Sequence, residues 1–172
     1  STLFGRFQNG LQSLVAQHWR AQAAERTKQG RLAAARDGRF VGSTPPYGYR
    51  VTGERKARRL EVDEAQAEAV RTIYERLVVG RVPAKDVGSE LDERGLPPAR
   101  RQAWDAPTLR RWAKTESHVR AAAGVWTFAG VEVPIPAILS AEEAAVWRAW
   151  IRDAKADLPP RAPQNYMLAG MV

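Results

Sequence analysis

The sequence of 172 residues contains no cysteine and only two histidines, and these absences exclude several kinds of site. Without cysteine there is no disulfide, no thiolate zinc site and no cysteine nucleophile. His18 and His118 lie far apart and do not form the paired-histidine spacing of common metal centres, so we expect no metal and no cofactor. The serines do not fall into a Ser, His and Asp arrangement, so we predict no catalytic residue.

Long apolar runs are also missing. The longest stretch without a formal charge, residues 7–19, is nearly half polar and shorter than the roughly 20 apolar residues of a membrane span. No signal peptide is evident at the start of the sequence. We therefore expect a cytoplasmic protein without a membrane partner or a small-molecule substrate. Its 44% hydrophobic residues, with six tryptophans, favour a folded chain over a disordered one.

Positive charge is plentiful and segregated along the chain. The formal net charge is +8 and the sequence pI is about 10.4. Residues 1–60 carry 12 basic and 3 acidic side chains, residues 61–93 carry 4 and 9, and residues 94–120 carry 7 and 2. A block of one sign attracts a polyanion and accelerates the encounter with it. We therefore expect a nucleic acid, and double-stranded DNA first, as the partner.

Residues 2–37 show the periodicity of one long helix. Apolar side chains recur at intervals of three and four, as at Phe7, Leu11, Val15 and Trp19. After residue 24 basic residues replace this stripe, so the first half of the helix is expected to need an apolar neighbour and the second half an anion. Gly38 suits a left-handed helix cap, and residues 39–46, with paired prolines, are expected to form an ordered linker.

Short elements are predicted for the rest of the chain. They are strands at 47–52 and 60–62, a helix from Asp63 to Gly80, helices at 83–94 and 105–116, a hairpin around 129–130 and a helix that begins at Ser140. The predicted fold class is mainly α with small β-hairpins: a long N-terminal helix is followed by a compact helical DNA-binding domain. This domain contains a helix-turn-helix-like pair at 84–116.

The second helix of this pair is the candidate recognition helix. It carries Thr108, Arg110, Arg111 and Lys114, and an arginine in a major groove can donate two hydrogen bonds to one guanine edge. The alternative is a surface helix with ordinary solvated arginines, because the connection of about ten residues is longer than the usual turn.

Two further groups are candidates for DNA contacts. Arg39 and Phe40 lie between glycines and could follow a minor groove, while Phe40 could also anchor the linker on the core. The basic tip of the first hairpin fits phosphate contacts or, equally, a solvated turn. The complete set of predicted DNA-binding residues is Arg26, Arg31, Arg36, Arg39, Phe40, Arg55, Lys56, Arg58, Arg59, Arg100, Arg101, Thr108, Arg110, Arg111, Lys114 and Arg161.

Aromatic residues and the second histidine receive structural predictions. Trp104, Trp112 and Trp126 are expected to cluster around the recognition helix. His118 is expected to follow the end of that helix, where a histidine interacts with the helix dipole.

The order of several motifs resembles the junction and recombinase domain of the large serine recombinases, which include serine integrases and related transposases. The motifs are ERTKQG at 25–30, PPYGYR at 45–50, LEVDEAQAEAVRTIYE at 60–75, GLP at 95–97, WD at 104–105, TLRR at 108–111, PAILS at 136–140 and NYMLAGMV at 165–172. One departure is VRAA at 119–122, where the family often has Tyr-x-Gly.

The resemblance implies a piece of a site-specific recombinase from a bacterium or phage. Residues 1–38 would be the helix that ends the catalytic domain, 39–157 the recombinase domain and 158–172 a linker toward a zinc-binding domain. The serine nucleophile and the zinc ligands lie outside such a piece, so we expect this chain to be inactive alone. It would bind half of an attachment site for DNA integration or excision, and the full-length protein would form dimers and tetramers.

Two other functions stay open. The first is a stand-alone helix-turn-helix transcriptional regulator that dimerises through residues 3–22. The second is a basic RNA-binding accessory protein, for which glycine and aromatic motifs on strands are expected and none is clear.

Overall fold

A computed structural model describes residues 3–54, 57–98 and 103–156 of the chain. The elements in chain order are α1 (Leu3–Arg36), β1 (Tyr49–Thr52), β2 (Arg59–Val62), α2 (Glu64–Ile73), α3 (Ala84–Glu93), α4 (Ala106–Ala113), α5 (Glu116–Ala122), β3 (Val125–Phe128), β4 (Val131–Pro134) and α6 (Ala141–Ala156). The predicted class, mainly α with a long first helix and two small hairpins, is confirmed.

Helix α1 runs without a break through 34 residues, which corresponds to about 51 Å at 1.5 Å per residue. It ends in a Schellman motif: the Gly38 N–H donates to the Ala35 carbonyl at 2.9 Å and the Arg39 N–H to the Ala34 carbonyl at 3.0 Å. Gly38 adopts the predicted left-handed conformation, with φ of 74°. Ala34 and Ala35 are buried, and α1 packs against β4, so the last turns of the helix join the domain.

The first hairpin leads directly into α2. Strands β1 and β2 are antiparallel, with Tyr49 opposite Val62. Asp63 caps α2 as predicted, since its carboxylate accepts from the Gln66 N–H at 3.2 Å. The Gln66 side chain does not complete a capping box, because its oxygen accepts from the Gly48 N–H at 2.9 Å and thereby ties the helix to the hairpin.

Helix α2 continues as a π-helical segment, Tyr74–Val79, that the sequence does not predict. The predicted buried face is confirmed: Ala67, Val70, Ile73, Tyr74 and Leu77 are all buried. The helical path ends at Gly80, as expected, and the π-helical segment packs against α6.

Helix α3 packs against the start of α4 through a glycine. A Cβ added to Gly88 would collide with the Trp104 carbonyl oxygen, so only glycine permits this approach. Trp104 is fixed further, because its N–H donates to the Asp92 carboxylate at 3.1 Å and its indole N–H to the Leu96 carbonyl at 3.2 Å. The two predicted helices therefore pack as a pair.

The predicted helix at 105–116 is present as α4, and a further helix that the sequence does not predict, α5, follows it. The backbone leaves helical geometry at Thr115, with φ of −90° and ψ of 110°, and α5 begins at Glu116. Helix α5 forms because Val119, Ala121 and Ala122 bury an apolar face, a tertiary contribution that the short local pattern did not reveal. His118 lies in α5, after the end of α4, and its Nδ1 is 2.9 Å from the Trp112 carbonyl in the last turn of α4, which agrees with its predicted place at the end of that helix.

The C-terminal elements agree with the sequence pattern. Strands β3 and β4 join through Ala129 and Gly130, both with positive φ, which is the geometry of a two-residue hairpin turn. Helix α6 begins with a reciprocal capping box, in which Glu143 N–H donates to Ser140 Oγ at 3.2 Å and Ser140 N–H to the Glu143 carboxylate at 2.7 Å.

The described residues contain neither a membrane-spanning helix nor a cluster of metal ligands. None of their helices is long and apolar enough to cross a membrane. Within the same ranges no three His, Cys, Asp or Glu side chains lie together as metal ligands would.

Candidate nucleic-acid interface

An aromatic cluster supports α4 from beneath. The Trp112 ring lies 5.4 Å from Tyr47, 6.2 Å from Trp104, 4.8 Å from His118 and 6.0 Å from Trp147, measured between ring centroids. Trp147 also donates its indole N–H to the Ala113 carbonyl at 2.9 Å. These contacts hold the inner face of α4 in place, so the backbone that carries its outer side chains is rigid.

The outer face of α4 carries the predicted basic residues. Arg110 and Arg111 are exposed, and Thr108 and Lys114 are half-buried. The N-cap Asp105 accepts from the Thr108 N–H at 2.7 Å and begins the helix as predicted. Helix α4 thus presents Arg110 and Arg111 to solvent.

Trp126 does not join the cluster around α4, and this part of the prediction is wrong. Its ring lies 4.9 Å from Phe40 and 5.8 Å from Phe128. The hairpin β3–β4 carries it to the linker, so tertiary placement rather than sequence spacing chose its neighbours. Trp104 and Trp112 do contact one another, as expected.

Phe40 lies in the core. Only 4% of the residue is exposed, and its N–H donates to the Arg58 carbonyl at 2.8 Å. This placement fits the interpretation of Phe40 as an anchor of the linker, and it leaves the ring inaccessible as a minor-groove wedge. Arg39 beside it is half-buried and forms an ion pair with Asp37 at 2.8 Å.

Arg31 braces α1 against the domain. Its guanidinium donates to the Val41 carbonyl at 2.9 Å and lies 5.0 Å from the centre of the Phe128 ring. Arg31 was predicted to bind DNA, and in the structure it also connects α1, the linker and β3. Arg26 and Arg36 lie exposed on the same helix.

The linker, residues 39–46, contacts all three groups of predicted cations. Arg31 of α1 reaches the Val41 carbonyl, and the Arg58 carbonyl beside the first hairpin tip accepts from Phe40. Linker residues 44–46 face Arg111 of α4 across a cleft. Elements that carry predicted cations and are distant in sequence therefore adjoin one segment.

Most of the described arginines that were not predicted to bind DNA form ion pairs. Arg50 contacts Glu61, Arg71 contacts Glu64, Arg76 contacts Glu90 and Arg94 contacts both Glu68 and Glu90. Arg120 and Arg148 pair with Glu132 and Glu116. We call the four arginines Arg50 of β1, Arg71 of α2, Arg76 of the π-helical segment and Arg94 at the end of α3 the paired region.

The predicted DNA-binding cations are different. Arg39 is paired, but within the described residues no ion pair involves any of the following eight, which we call the unpaired cations: Arg26, Arg31, Arg36, Arg58, Arg59, Arg110, Arg111 and Lys114. Their charge stays available to an external anion. The remaining predicted residues, Arg55, Lys56, Arg100, Arg101 and Arg161, lie outside the described residues.

A cleft of about 690 Å³ separates the linker from α4 and α5. Residues 44–47 form one wall, and the other wall includes Thr108, Arg111, Trp112 and His118. The His118 Nδ1 donates to the Trp112 carbonyl at 2.9 Å, which fixes the ring against Trp112. The cleft therefore combines aromatic rings, hydroxyl groups and one guanidinium.

Sequence reasoning did not select Thr44, Tyr47 or His118 as site residues, although all three line this cleft. Thr108 and Arg111 line it too, and their spacing of three was a usable signal that they share one face of a helix. No signal connected that face with the linker, because the contact joins segments more than 60 residues apart in sequence.

Buried phenols hold the walls together. Tyr47 donates to the Pro97 carbonyl, and the Tyr49 hydroxyl lies 2.6 Å from the Ala121 carbonyl and 2.7 Å from that of Pro136. Burial raises the pKa of Tyr47, with a smaller contribution from Asp63, and burial alone raises the pKa of Tyr49. Both phenols therefore stay protonated donors well above neutral pH.

Several solved structures resemble the chain, and two of them concern DNA recombination. A crystal structure of a large serine recombinase (LSR)–DNA complex matches with a TM-score of 0.56 and 16% identity, over 81% of this chain and 43% of that one. A structure concerned with the Listeria innocua prophage attP site matches with a TM-score of 0.51 and 16% identity, over 74% and 51% respectively. The chain thus spans about half the length of these proteins or less, and it shares their fold.

Sequence comparison adds nothing to this. No protein-family model matches the chain, and no curated protein is significantly similar to it. The recombinase fold expected from the motif order is nevertheless confirmed by the structural similarity.

Proposed function

We propose that this chain binds double-stranded DNA in a sequence-specific way, at half of an attachment site, as the recombinase domain of a large serine recombinase. The observation that carries the proposal is the set of unpaired cations on α1, the first hairpin and α4, three elements that all adjoin the linker. Charges without a protein partner supply the counterion-release affinity on which DNA binding depends.

The elements have separate roles in this proposal. Helix α4 enters the major groove and presents Arg110 to base edges, because its inner face is fixed by Trp112 and its outer face is exposed. Arg58 and Arg59, with Arg55 and Lys56 at the hairpin tip, bind phosphates. Arg39 follows the minor groove beside the linker, and α1 crosses the duplex with Arg26 and Arg36 facing it.

The shared fold supports this assignment in two ways. One similar structure is a recombinase bound to DNA, and another concerns a prophage attachment site. By extension, a longer protein would carry the serine chemistry, integrate or excise DNA and self-associate. Residues 1–38 would form the end of the catalytic-domain helix. The recombinase domain would follow at 39–157, and a linker at 158–172. Arg100, Arg101 and Arg161 complete the proposed contacts.

A dimeric transcriptional regulator remains the second candidate, because one observation favours it. Val15 and Trp19, four residues apart on α1, are 47% and 61% exposed, so two neighbouring positions of its apolar stripe are uncovered. In a regulator this stripe would join two copies.

Selection from a random duplex library at moderate salt distinguishes the two candidates. A recombinase half-site predicts enrichment of an asymmetric sequence about one to two helical turns long, whereas a dimeric regulator predicts an inverted repeat. Arg110→Ala should relax the selected sequence at one position, by about 1–3 kcal/mol. Arg148→Ala, which removes an arginine paired with Glu116, is the matched control and should select the wild-type sequence. Retention of every sequence equally would contradict sequence-specific binding.

A further inference from the structure

The cleft between the linker and α4 has the chemistry of an anion site. Among the residues that the structure describes, its walls contain no Asp or Glu, and Arg111 carries a fixed positive charge. Arg111 makes no ion pair within the described residues, unlike the arginines of the paired region. The cleft therefore has a formal positive charge that no nearby carboxylate on its walls neutralises.

Hydrogen-bond donors without partners accompany this charge. The hydroxyls of Thr44 and Thr108 make no hydrogen bond in the part of the chain that the structure describes, and they stand on opposite walls. Trp112, 93% buried, lines the cleft, and its indole N–H is the single buried side-chain group without a partner in the described residues. A buried donor without an acceptor is unfavourable, so the Trp112 side chain lowers the stability of this wall.

The two arginines of α4 have different surroundings. Thr108 and Arg111, three residues apart, lie on the face that lines the cleft, whereas Arg110 is exposed and does not line it. Adjacent positions on a helix point about 100° apart, so one side chain can enter the cleft while the other points toward a groove.

The surrounding carboxylates are engaged elsewhere. Asp63 influences Tyr47 electrostatically, but its oxygens accept from the Gln66 N–H and side-chain amide as the cap of α2. Asp105 accepts from the Thr108 N–H and does not line the cleft. Neither carboxylate forms part of the walls.

We propose that this cleft is a phosphate-binding site that takes a backbone phosphate of the bound DNA, with Arg111 as its cation and the Thr44 and Thr108 hydroxyls as further donors. Arg111 then contributes affinity and fixes the orientation of the domain, while Arg110 contributes base selection. The proposal rests on the proposed function for the source of the phosphate. The volume of about 690 Å³ exceeds that of one phosphate group.

The test compares salt dependence for two neighbouring arginines. Affinity is measured from low to moderate salt on the selected duplex and on a scrambled duplex, for wild type, Arg111→Ala, Arg111→Lys and Arg110→Ala. Arg111→Ala should weaken binding to both duplexes by the same factor and lower the slope of log K against log salt by about 0.9, because one phosphate contact is lost. Arg111→Lys keeps the charge and should keep the slope.

The matched control is Lys85→Ala. Lys85 is exposed on α3, lies outside the cleft and makes no ion pair within the described residues, so its removal lowers the net charge equally. It should leave the slope unchanged. Thr108→Val should lower the affinity for both duplexes about three- to tenfold and leave the ratio of the two affinities unchanged. The proposal is overturned if Arg111→Ala keeps the wild-type slope and instead loses discrimination between the duplexes.

A second measurement separates failure of this site from failure of the proposed function. The indole N–H resonance of Trp112, identified by Trp112→Phe, is followed by NMR while inorganic phosphate or a dinucleoside phosphate is added. A saturable shift in wild type that is absent in Arg111→Ala supports the site even if no duplex binds, which would identify free phosphate as its source. No shift, together with an unchanged salt slope, overturns the site while DNA binding stands.

Discussion

Arginine has two different environments in this protein. In the paired region, four arginines contact glutamates that lie on the same or a neighbouring element. The unpaired cations of α1, the first hairpin and α4 have the same chemical groups and no such partners. Because an ion pair at a protein surface is worth about 0–1 kcal/mol, pairing adds little stability, but it removes the charge from the field that a distant anion senses.

The difference teaches that net charge by itself does not locate a binding surface. The paired region carries arginines at a lower density than α4, and residues 61–93 hold 9 acidic against 4 basic side chains, so the charge of its arginines is offset locally. The positions of the glutamates, rather than those of the arginines, therefore decide which surface attracts a polyanion.

The largest effect should come from the residue that joins the two regions. Trp147 is fully buried, contacts Tyr74 on one side and Trp112 on the other, and donates to Ala113. Trp147→Ala should lower the free energy of unfolding by about 3–5 kcal/mol, as measured by urea denaturation. Trp147→Phe, which retains an aromatic ring, should lower the free energy of unfolding by less. An equal loss for both variants would mean that the hydrogen bond outweighs the packing.

Alkaline pH should destabilise the protein as a whole. Burial raises the pKa of Tyr47, Tyr49 and Tyr74, and the charge of Glu143 contributes at Tyr74. The unfolded chain loses these protons near pH 10 and the folded chain keeps them, so this contribution is complete below pH 10 and falls as the pH rises further. Each phenol that stays protonated contributes a slope of up to about 1.4 kcal/mol per pH unit.

Denaturation at pH 9 and pH 11 measures this effect. A single transition at both values is expected, because Tyr47 lies beside α4 and Tyr74 lies in the acidic part of the chain, and one core connects them. Tyr49→Phe should flatten the pH dependence. Two separate transitions at pH 11 would show that the two regions unfold independently.

Removal of unpaired cations should weaken DNA binding where removal of paired ones does not. The double variant Arg58→Ala/Arg59→Ala should lower affinity roughly tenfold at moderate salt and lower the salt slope by about 2, in a duplex titration. Arg71→Ala/Arg76→Ala removes the same formal charge from the paired region and should leave both quantities near wild type. Equal losses from the two doubles would remove the distinction between paired and unpaired charge.

The smallest expected effect is that of replacing Arg31, which has no ion pair within the described residues but contacts Val41 and Phe128. Loss of its hydrogen bond to Val41 and of its contact with Phe128 in Arg31→Ala should lower stability by about 1 kcal/mol in a denaturation experiment. Arg31→Lys should recover part of the DNA affinity and little of the stability, because lysine lacks the planar guanidinium. Full recovery of stability by lysine would contradict the bracing role.

Local signals predicted most elements because their causes are local. Gly38, Asp63, Asp105 and Ser140 each begin or end a helix through bonds to residues within four positions, so the sequence pattern contains both partners. The turn at Ala129 and Gly130 is equally local. The mainly helical class, the long first helix and the recombinase-like order of motifs follow from such signals.

The failures have a different cause. The additional helix α5 and the position of Trp126 depend on packing between distant segments, and a local pattern contains only one side of each contact. The π-helical segment after α2 also had no local signal. The cleft was missed because the linker and α4 meet only in the folded chain.

The sequence by itself determined where charges and apolar faces lie along the chain, since periodicity and composition are properties of neighbouring residues. Tertiary structure decided which charges remain unpaired. The contact of Arg94 with Glu68 joins residues 26 positions apart, and the bond from Tyr49 to Pro136 spans 87 positions. Electrostatic and packing energies depend on distance in space, so only the folded chain distinguishes an arginine that supports the structure from one that is available to DNA.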